Sequence, residues 1–282
     1  MDKIKQISKI SLPPDMERPP AKGTPEYYVY LENELSKPPS RFTSGSIYEM
    51  CGAQHWYLTA SQFVRTPKTI LVPVKYELGW LADGIEPKGF DDLIKRLDAA
   101  CKEIGYPAFL RTAYTSAKHG WSQTCGSVTQ RNAIAPAVAR IVEFSCMVFP
   151  SQPCDLFMVR EMIPTKKMFT AFDDMPITRE FRLFTHKDNI LHVQPYWPEH
   201  AFAATVQEQD IPWEDLLRAA SVLTQAEYDY LACETKKIGI ALPDHEWSVD
   251  WLQDKDGAWW MIDMAIGGVS FKWEPDFDVL LR

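Results

Sequence analysis

The sequence predicts an α+β protein, and three observations carry that reading. Strand-like runs meet at hairpin turns, as in REFRLF-THKD-NILHVQPYW (179–197) and WSVDWLQ-DKDG-AWWMIDMAIGG (247–268). Amphipathic helical segments fall between the strands, the clearest being DDLIKRLDAACKEIG (91–105). The strict strand–helix–strand alternation of a doubly wound parallel sheet is missing. With 282 residues, 46% hydrophobic and 24% charged, the chain is long enough for one large domain or two smaller ones.

Taken in chain order, the first forty residues hold Pro13, Pro14, Pro19, Pro20, Pro25, Pro38 and Pro39. Proline fixes φ and removes a donor, so this stretch reads as an extended arm. Residues 46–64 regain apolar content and read as a helix or an element that docks on the core. The segment 1–68 is therefore taken as arm plus docking segment. TILVPVKYEL (69–78) is rich in β-branched residues and reads as a strand, with Pro73 arguing for an edge position. In 91–105 one helical face collects Leu93, Ile94, Leu97, Cys101 and Ile104, and Gly105 stops the helix. YPAFLRT begins another strand, and 133–147 forms a second helix through Val138, Ile141 and Val142. DLFMVREMIP (155–164) is a strand ending at Pro164. A helix follows Pro212, and another starts at a Thr224–Glu227 capping box and is expected to end at Gly239.

Charge and cysteine content exclude several classes. The net charge of −8 provides no global basic field for nucleic acid or anionic lipid. No apolar run is long enough to span a membrane. The opening MDKIKQISKISLPPD lacks the apolar stretch of a signal peptide, and the six cysteines include no CxxC pair. The expectation is a cytoplasmic protein with reduced thiols and no zinc site. Nucleophile and zinc-hydrolase motifs (GxSxG, HExxH) are also missing.

Two groups of residues suggest chemistry. If Asp256-Gly257 forms a two-residue turn, the pairs counted outward place Asp250 opposite Asp263 on one side of the sheet. Opposed carboxylates about 4.5–5.5 Å apart repel, so if buried they would share a proton or bind a cation such as Mg²⁺. The alternative is a longer turn with one acid exposed, which breaks that register. In FLRTAYTSAKHGW (109–121), Arg111 lies on a strand face with Phe109 and Ala113, and Lys118 lies in a loop of small residues. Such a loop with two cations suits phosphate; a solvated surface loop is the plain alternative. No GxxxxGK[ST] occurs. In REFRLF, Glu180 and Arg182 share one face, with Phe181 and Leu183 on the other.

In order, FLRTAYTSAKHGW, MVREMIP, REFRLFTHKDNILHVQPYW and SVDWLQDKDGAWWMIDMAIGG resemble the ATP-grasp fold. More narrowly they are similar to the cell division cycle protein 123 family and the related two-arginine-one-lysine clade of bacteria and phages. The resemblance covers about residues 105–273. It implies two α+β lobes, smaller about 69–163 and larger about 164–282, with ATP in the cleft between antiparallel sheets. It implies that Arg111 and Lys118 hold phosphates. Glu161, Met162 and Ile163 form the adenine hinge, with Arg160 counted among the ATP-binding residues; Arg182 reaches the γ-phosphate or acyl-phosphate, and Asp250 and Asp263 hold Mg²⁺. Arg182 and Lys118 are its catalytic candidates. The implied activity is a carboxylate–amine ligase forming ADP and phosphate, with a peptide or protein among its candidate substrates. The alternative is a non-catalytic ATP-binding assembly factor. One departure favours the alternative: where the family carries Asp-x-Asn, this chain has Asp263-Met264-Ala265, and alanine offers no ligand atom. A nucleotidyltransferase is disfavoured, because Lys255-Asp256-Gly257 lacks the KxDG spacing.

Overall fold

In the computed structural model, residues 50–114, 120–147, 153–202, 204–207 and 210–274 are described, together with Val29. The proline-rich arm and Lys118 lie outside the described residues. The chain runs α1 (Ala53–Phe63), β1 (Thr69–Pro73), α2 (Phe90–Ile104), β2 (Ala108–Thr112), a one-turn helix α3 (Trp121–Thr124), β3 (Cys125–Val128), α4 (Ile134–Met147) and β4 (Leu156–Glu161). It continues with β5 (Phe169–Ala171), β6 (Met175–Ile177), β7 (Glu180–His186), β8 (Asn189–Pro195), α5 (Trp213–Ala220), α6 (Gln225–Ala241), β9 (Glu246–Gln253) and β10 (Trp259–Ile266). The fold is α+β, as the hairpin and helix signals predict. Among the described residues, no helix is long and apolar enough to cross a membrane, and all six cysteines are free thiols.

Two antiparallel four-stranded sheets form the frame, ordered β1-β4-β2-β3 and β10-β9-β7-β8. In the first sheet Val72, Leu110, Phe157 and Val159 face helices α2 and α4, whose Leu93, Leu97, Val138 and Val142 complete one core. Strand alternation sends Phe109, Arg111, Met158 and Arg160 to the other face. The predicted edge position of Pro73 holds, since β1 is the outer strand. In the second sheet Phe181, Leu183, Trp247, Val249 and Trp251 pack against α1 and α6 in a second core. That places Glu180, Arg182, Ser248 and Asp250 on the opposite face, toward the first sheet. Trp56, Tyr57 and Ala60 of α1 enter this second core. A smaller aromatic cluster of Phe169, Phe172, Trp197 and Phe202 supports the β5–β6 hairpin. This short hairpin, like β3, gave no usable periodicity in the sequence.

Two local expectations need correction. The capping box at Thr224 and Glu227 forms, but Gly239 does not end α6, which runs on to Ala241. Gly239 is instead a contact point: a Cβ there would lie 2.2 Å from the Lys187 carbonyl oxygen. Glycine lets the helix press on the β7–β8 turn.

The final hairpin is the second correction. Its turn is longer than two residues: Gln253 pairs with Trp259 across its base, where a two-residue turn at Asp256-Gly257 would set Asp254. Asp254 explains why. Its carboxylate accepts from the Asp256 and Ala258 amides at 3.0 and 2.9 Å and from Trp260 Nε1 at 2.8 Å. Although burial opposes its charge, these donors hold the Asp254 carboxyl below its ordinary pKa. The longer turn moves the register by one, which alone would set Asp263 beside Val249 on the core face. A β-bulge between Met261 and Asp263 moves it back. Asp250 and Asp263 therefore pair directly, as the two-residue turn also implied, but through two compensating departures.

Candidate functional site

Between the two sheets lies a cleft of about 780 Å³, part of it open to solvent. One wall comes from the first sheet through Phe109, Arg111, Arg160 and the end of β4 at Glu161, Met162 and Ile163; Asp263, Ile262, Leu252 and Glu180 come from the second. Trp121, Met175 and Pro176 close the sides with apolar surface. The size and the mix of apolar walls with a few polar groups suit a small organic ligand.

The expected residues divide. Arg111, Arg160, Glu161, Met162, Ile163 and Asp263 are brought together here. Arg182 and Asp250 sit one step along the sheet, with Arg182 lining a neighbouring hollow. The sequence reading missed the apolar contributors Trp121, Met175, Leu252 and Ile262. Leu252 was legible in principle, because it shares a strand face with Asp250. Trp121 and Met175 reach the cleft from elements with no periodic signal. Glu180 was assigned to the face of Arg182, and that face is not the half-exposed surface one might assume: Glu180 is only 5% exposed.

The cations are held in different ways. Arg111, 3% exposed, donates from Nη1 to Asp263 Oδ2 at 2.8 Å and from Nη2 to Oδ1 at 3.2 Å. Its Nε donates to the Thr112 carbonyl at 3.0 Å. The bidentate pair bridges the two sheets between residues far apart in the chain. Burial opposes the charge of Arg111, yet the Asp263 carboxylate keeps its pKa above the ordinary value. Arg182 donates from Nε and Nη2 to the two oxygens of Asp250, at 2.7 and 2.9 Å. There too the carboxylate outweighs burial, and the Arg182 pKa is raised.

Arg160 differs. Among the described residues no carboxylate lies within ion-pairing distance of it. It donates to the Ile262 carbonyl, to Thr69 Oγ1 at 3.1 Å and to Met158 Sδ at 3.1 Å. Burial, and then the nearby positive charge of Arg111, lower its pKa to about 10. Ile262 is the bulge residue, so the bulge both turns Asp263 into the cleft and presents a carbonyl to a cation of the other sheet. A buried guanidinium beside a second one is a favourable place for an anion.

At the end of β4, the Glu161 amide bonds the Lys68 carbonyl at 2.9 Å, and the Glu161 carboxylate accepts from the Lys68 amide at 2.9 Å. The strand pairing then stops. Among the described residues no hydrogen bond engages the backbone of Met162 or Ile163, and both residues line the cleft.

For a divalent cation the test is the donor set. Asp250 and Asp263 are opposed on one face and supply hard oxygen donors. Both are engaged by guanidinium groups, Ala265 on the same face adds none, and no cluster of three or more His, Cys, Asp or Glu suited to a metal occurs among the described residues. Two carboxylates fit a Mg²⁺ ion that takes its remaining ligands from phosphates and water.

No family model matches the sequence, and no curated protein matches it. Solved structures give remote similarities. D-alanyl-alanine synthetase A from Vibrio cholerae aligns at 14% identity over 76% of this chain and 53% of its own, with a TM-score of 0.42. A RimK domain protein ATP-grasp from Sphaerobacter thermophilus aligns at 15% identity over 76% of this chain and 56% of its own, TM-score 0.40. N5-carboxyaminoimidazole synthase from Aspergillus clavatus, in complex with ADP and 5-aminoimidazole ribonucleotide, aligns at 13% identity over 85% of this chain and 49% of its own, TM-score 0.43. The chain spans about half the length of these proteins.

Proposed function

We propose that the cleft binds ATP in the manner of an ATP-grasp protein and that the chain is a carboxylate–amine ligase. The observation that carries this reading is the pairing, within one cleft, of the buried guanidinium groups of Arg111 and Arg160 with the unpaired backbone edge at Met162 and Ile163. The edge suits adenine, and the guanidinium groups suit phosphate oxygens. Phe109, Trp121, Met175 and Ile262 supply apolar surface for the base.

In this reading Asp250 and Asp263 hold magnesium, which would offset phosphate charge. Arg111 and Arg182 move from their aspartates to phosphate oxygens, and Lys118 is assigned to the same task from its loop. A carboxylate oxygen of the acceptor attacks the γ-phosphorus; the bond from that phosphorus to the β–γ bridging oxygen breaks, and ADP leaves. An amine nitrogen then attacks the acyl carbon. The carbon–oxygen bond to the phosphate breaks, phosphate leaves, and the amine loses one proton. The chain's contribution is positioning and charge stabilisation, with no protein nucleophile required.

A second reading keeps ATP binding without turnover, as in an assembly factor. Ala265 favours it, as does the engagement of both aspartates by arginine.

Calorimetry with ADP and magnesium tests the shared part: a Kd in the micromolar range is expected, and no heat of association refutes both readings. An assay for ADP release with pooled carboxylates and amines separates them. Acceptor-dependent ADP and phosphate that vanish in Asp263→Ala support the ligase, whereas tight binding without turnover supports the binding factor.

A further inference from the structure

The cleft-facing side of the larger sheet carries one polar rung, Asp263, Asp250, Arg182 and Gln194, one residue from each of β10, β9, β7 and β8. Neighbouring strands are about 4.8 Å apart, so Arg182 lies roughly 10 Å from Asp263. At the Arg182 end a second hollow opens, about 670 Å³ including its open mouth, and it shares no lining residue with the nucleotide cleft.

Its chemistry is uneven. Arg182 forms the charged floor, its guanidinium 4.7 Å from the centre of the Tyr196 ring. Tyr196, Trp197, Pro198 and Phe271 supply apolar walls, and exposed His200 stands at the rim. Among the described residues no carboxylate lines it. Phe271 is held in an unusual way. Its carbonyl accepts from Gln194 Nε2 at 3.2 Å and from Arg182 Nη1 at 3.3 Å. Two residues on, the Trp273 amide donates to Gln194 Oε1 at 3.0 Å, Trp273 Nε1 donates to the Pro195 carbonyl at 3.2 Å, and the Trp273 carbonyl bonds buried His192 Nε2 at 2.8 Å. The backbone is clamped, yet the Phe271 side chain is 55% exposed. A fixed strap that presents a large apolar ring to solvent beside a hollow is suited to covering a ligand.

We infer that this hollow is the acceptor subsite and that the acceptor is a carboxylate on an apolar, ring-sized body. The inference rests on the ligase reading of the adjoining cleft. Arg182 is paired with Asp250 in this structure; once Asp250 turns to magnesium, the freed guanidinium meets the acceptor carboxylate and then the phosphate of the acyl-phosphate it becomes, and it disfavours a cationic ligand. A dicarboxylate finds one guanidinium and no second buried cation. A carboxylate at Arg182 stands at the end of the rung that carries the phosphate-facing groups, where the acyl-phosphate has to form.

The test uses the full chain saturated with magnesium and a non-hydrolysable ATP analogue, titrated with L-phenylalanine, L-leucine, L-glutamate and L-lysine. Phenylalanine and leucine are expected to bind at least about tenfold more tightly than glutamate or lysine. Phe271→Ala is expected to weaken phenylalanine about tenfold or more while changing the nucleotide Kd less than about twofold. His200→Ala, at the exposed rim, provides a second variant and should weaken phenylalanine severalfold with the same unchanged nucleotide Kd. Equal or tighter binding of glutamate or lysine overturns the inference, as does an unchanged phenylalanine affinity in both variants. If nucleotide binds normally under either result, the reading of the cleft survives. Failure to bind nucleotide removes both.

Discussion

The bidentate bridge between Arg111 and Asp263 can be measured without knowing any ligand. The perturbation is a double-mutant cycle of Arg111→Met, Asp263→Asn and the double variant, each followed by urea denaturation. Arg111 is 3% exposed and the Asp263 side chain 16%, so the pair is far drier than a surface ion pair. Two charge centres about 4 Å apart attract by about 4 kcal/mol at an effective dielectric constant near 20, which sets the upper end. The remaining access of Asp263 to water lowers the figure, and a coupling energy of about 2–3 kcal/mol is expected. Arg111→Met alone should cost about 3 kcal/mol, because Asp263 loses two charge-assisted donors while still mostly buried. The double variant should be less destabilised than the sum of the singles by the coupling energy. A coupling below about 0.5 kcal/mol, typical of exposed pairs, would refute the argument that the sheets are bridged by a desolvated ion pair.

Three further outcomes are expected. Gly239→Ala should destabilise the protein by about 2–3 kcal/mol in urea melts, despite the better helix propensity of alanine, because the new Cβ meets the Lys187 carbonyl at 2.2 Å. Glu227, gripped by Arg179 and bonded at the α6 N-terminus, has its carboxyl pKa lowered to about 2. A lowered folded-state value means that its stabilisation is present above the ordinary pKa near 4.5 and is lost as pH falls from there toward 2. Allowing for partial solvent screening, about 2 kcal/mol should disappear over that window, and Glu227→Gln should flatten this part of the pH–stability curve. Asp254→Ala removes the acceptor for two turn amides and Trp260 Nε1, and thermal unfolding should report a loss of about 3 kcal/mol.

Much of the architecture was present in local pattern. The 3.6-residue spacing of Leu93, Leu97 and Cys101 wrote helix α2, the Thr224–Glu227 box wrote the start of α6, and the alternation in REFRLF separated Phe181 and Leu183 from Glu180 and Arg182. These features are legible because residues a few positions apart decide them. The same alternation placed Arg111 on the face with Phe109. What the alternation faced was not legible. That Arg111 would meet Asp263, 152 residues away, depends on how two sheets settle against each other.

The last hairpin shows the boundary most clearly. Period-two counting from an assumed tight turn set Asp250 opposite Asp263, and the pairing is real. The route is different, because Asp254 gathers three donors and lengthens the turn, and the bulge before Asp263 restores the lost step. The bulge belongs to tertiary structure: its Ile262 carbonyl answers Arg160 of the other sheet, while Met261 and Met264 on either side stay in the core. By itself the sequence determined which faces are apolar and which residue types are free to do chemistry. Only the packing of the two sheets decided which of those residues meet, because desolvating a charge is tolerable only where a partner from elsewhere in the chain is already waiting.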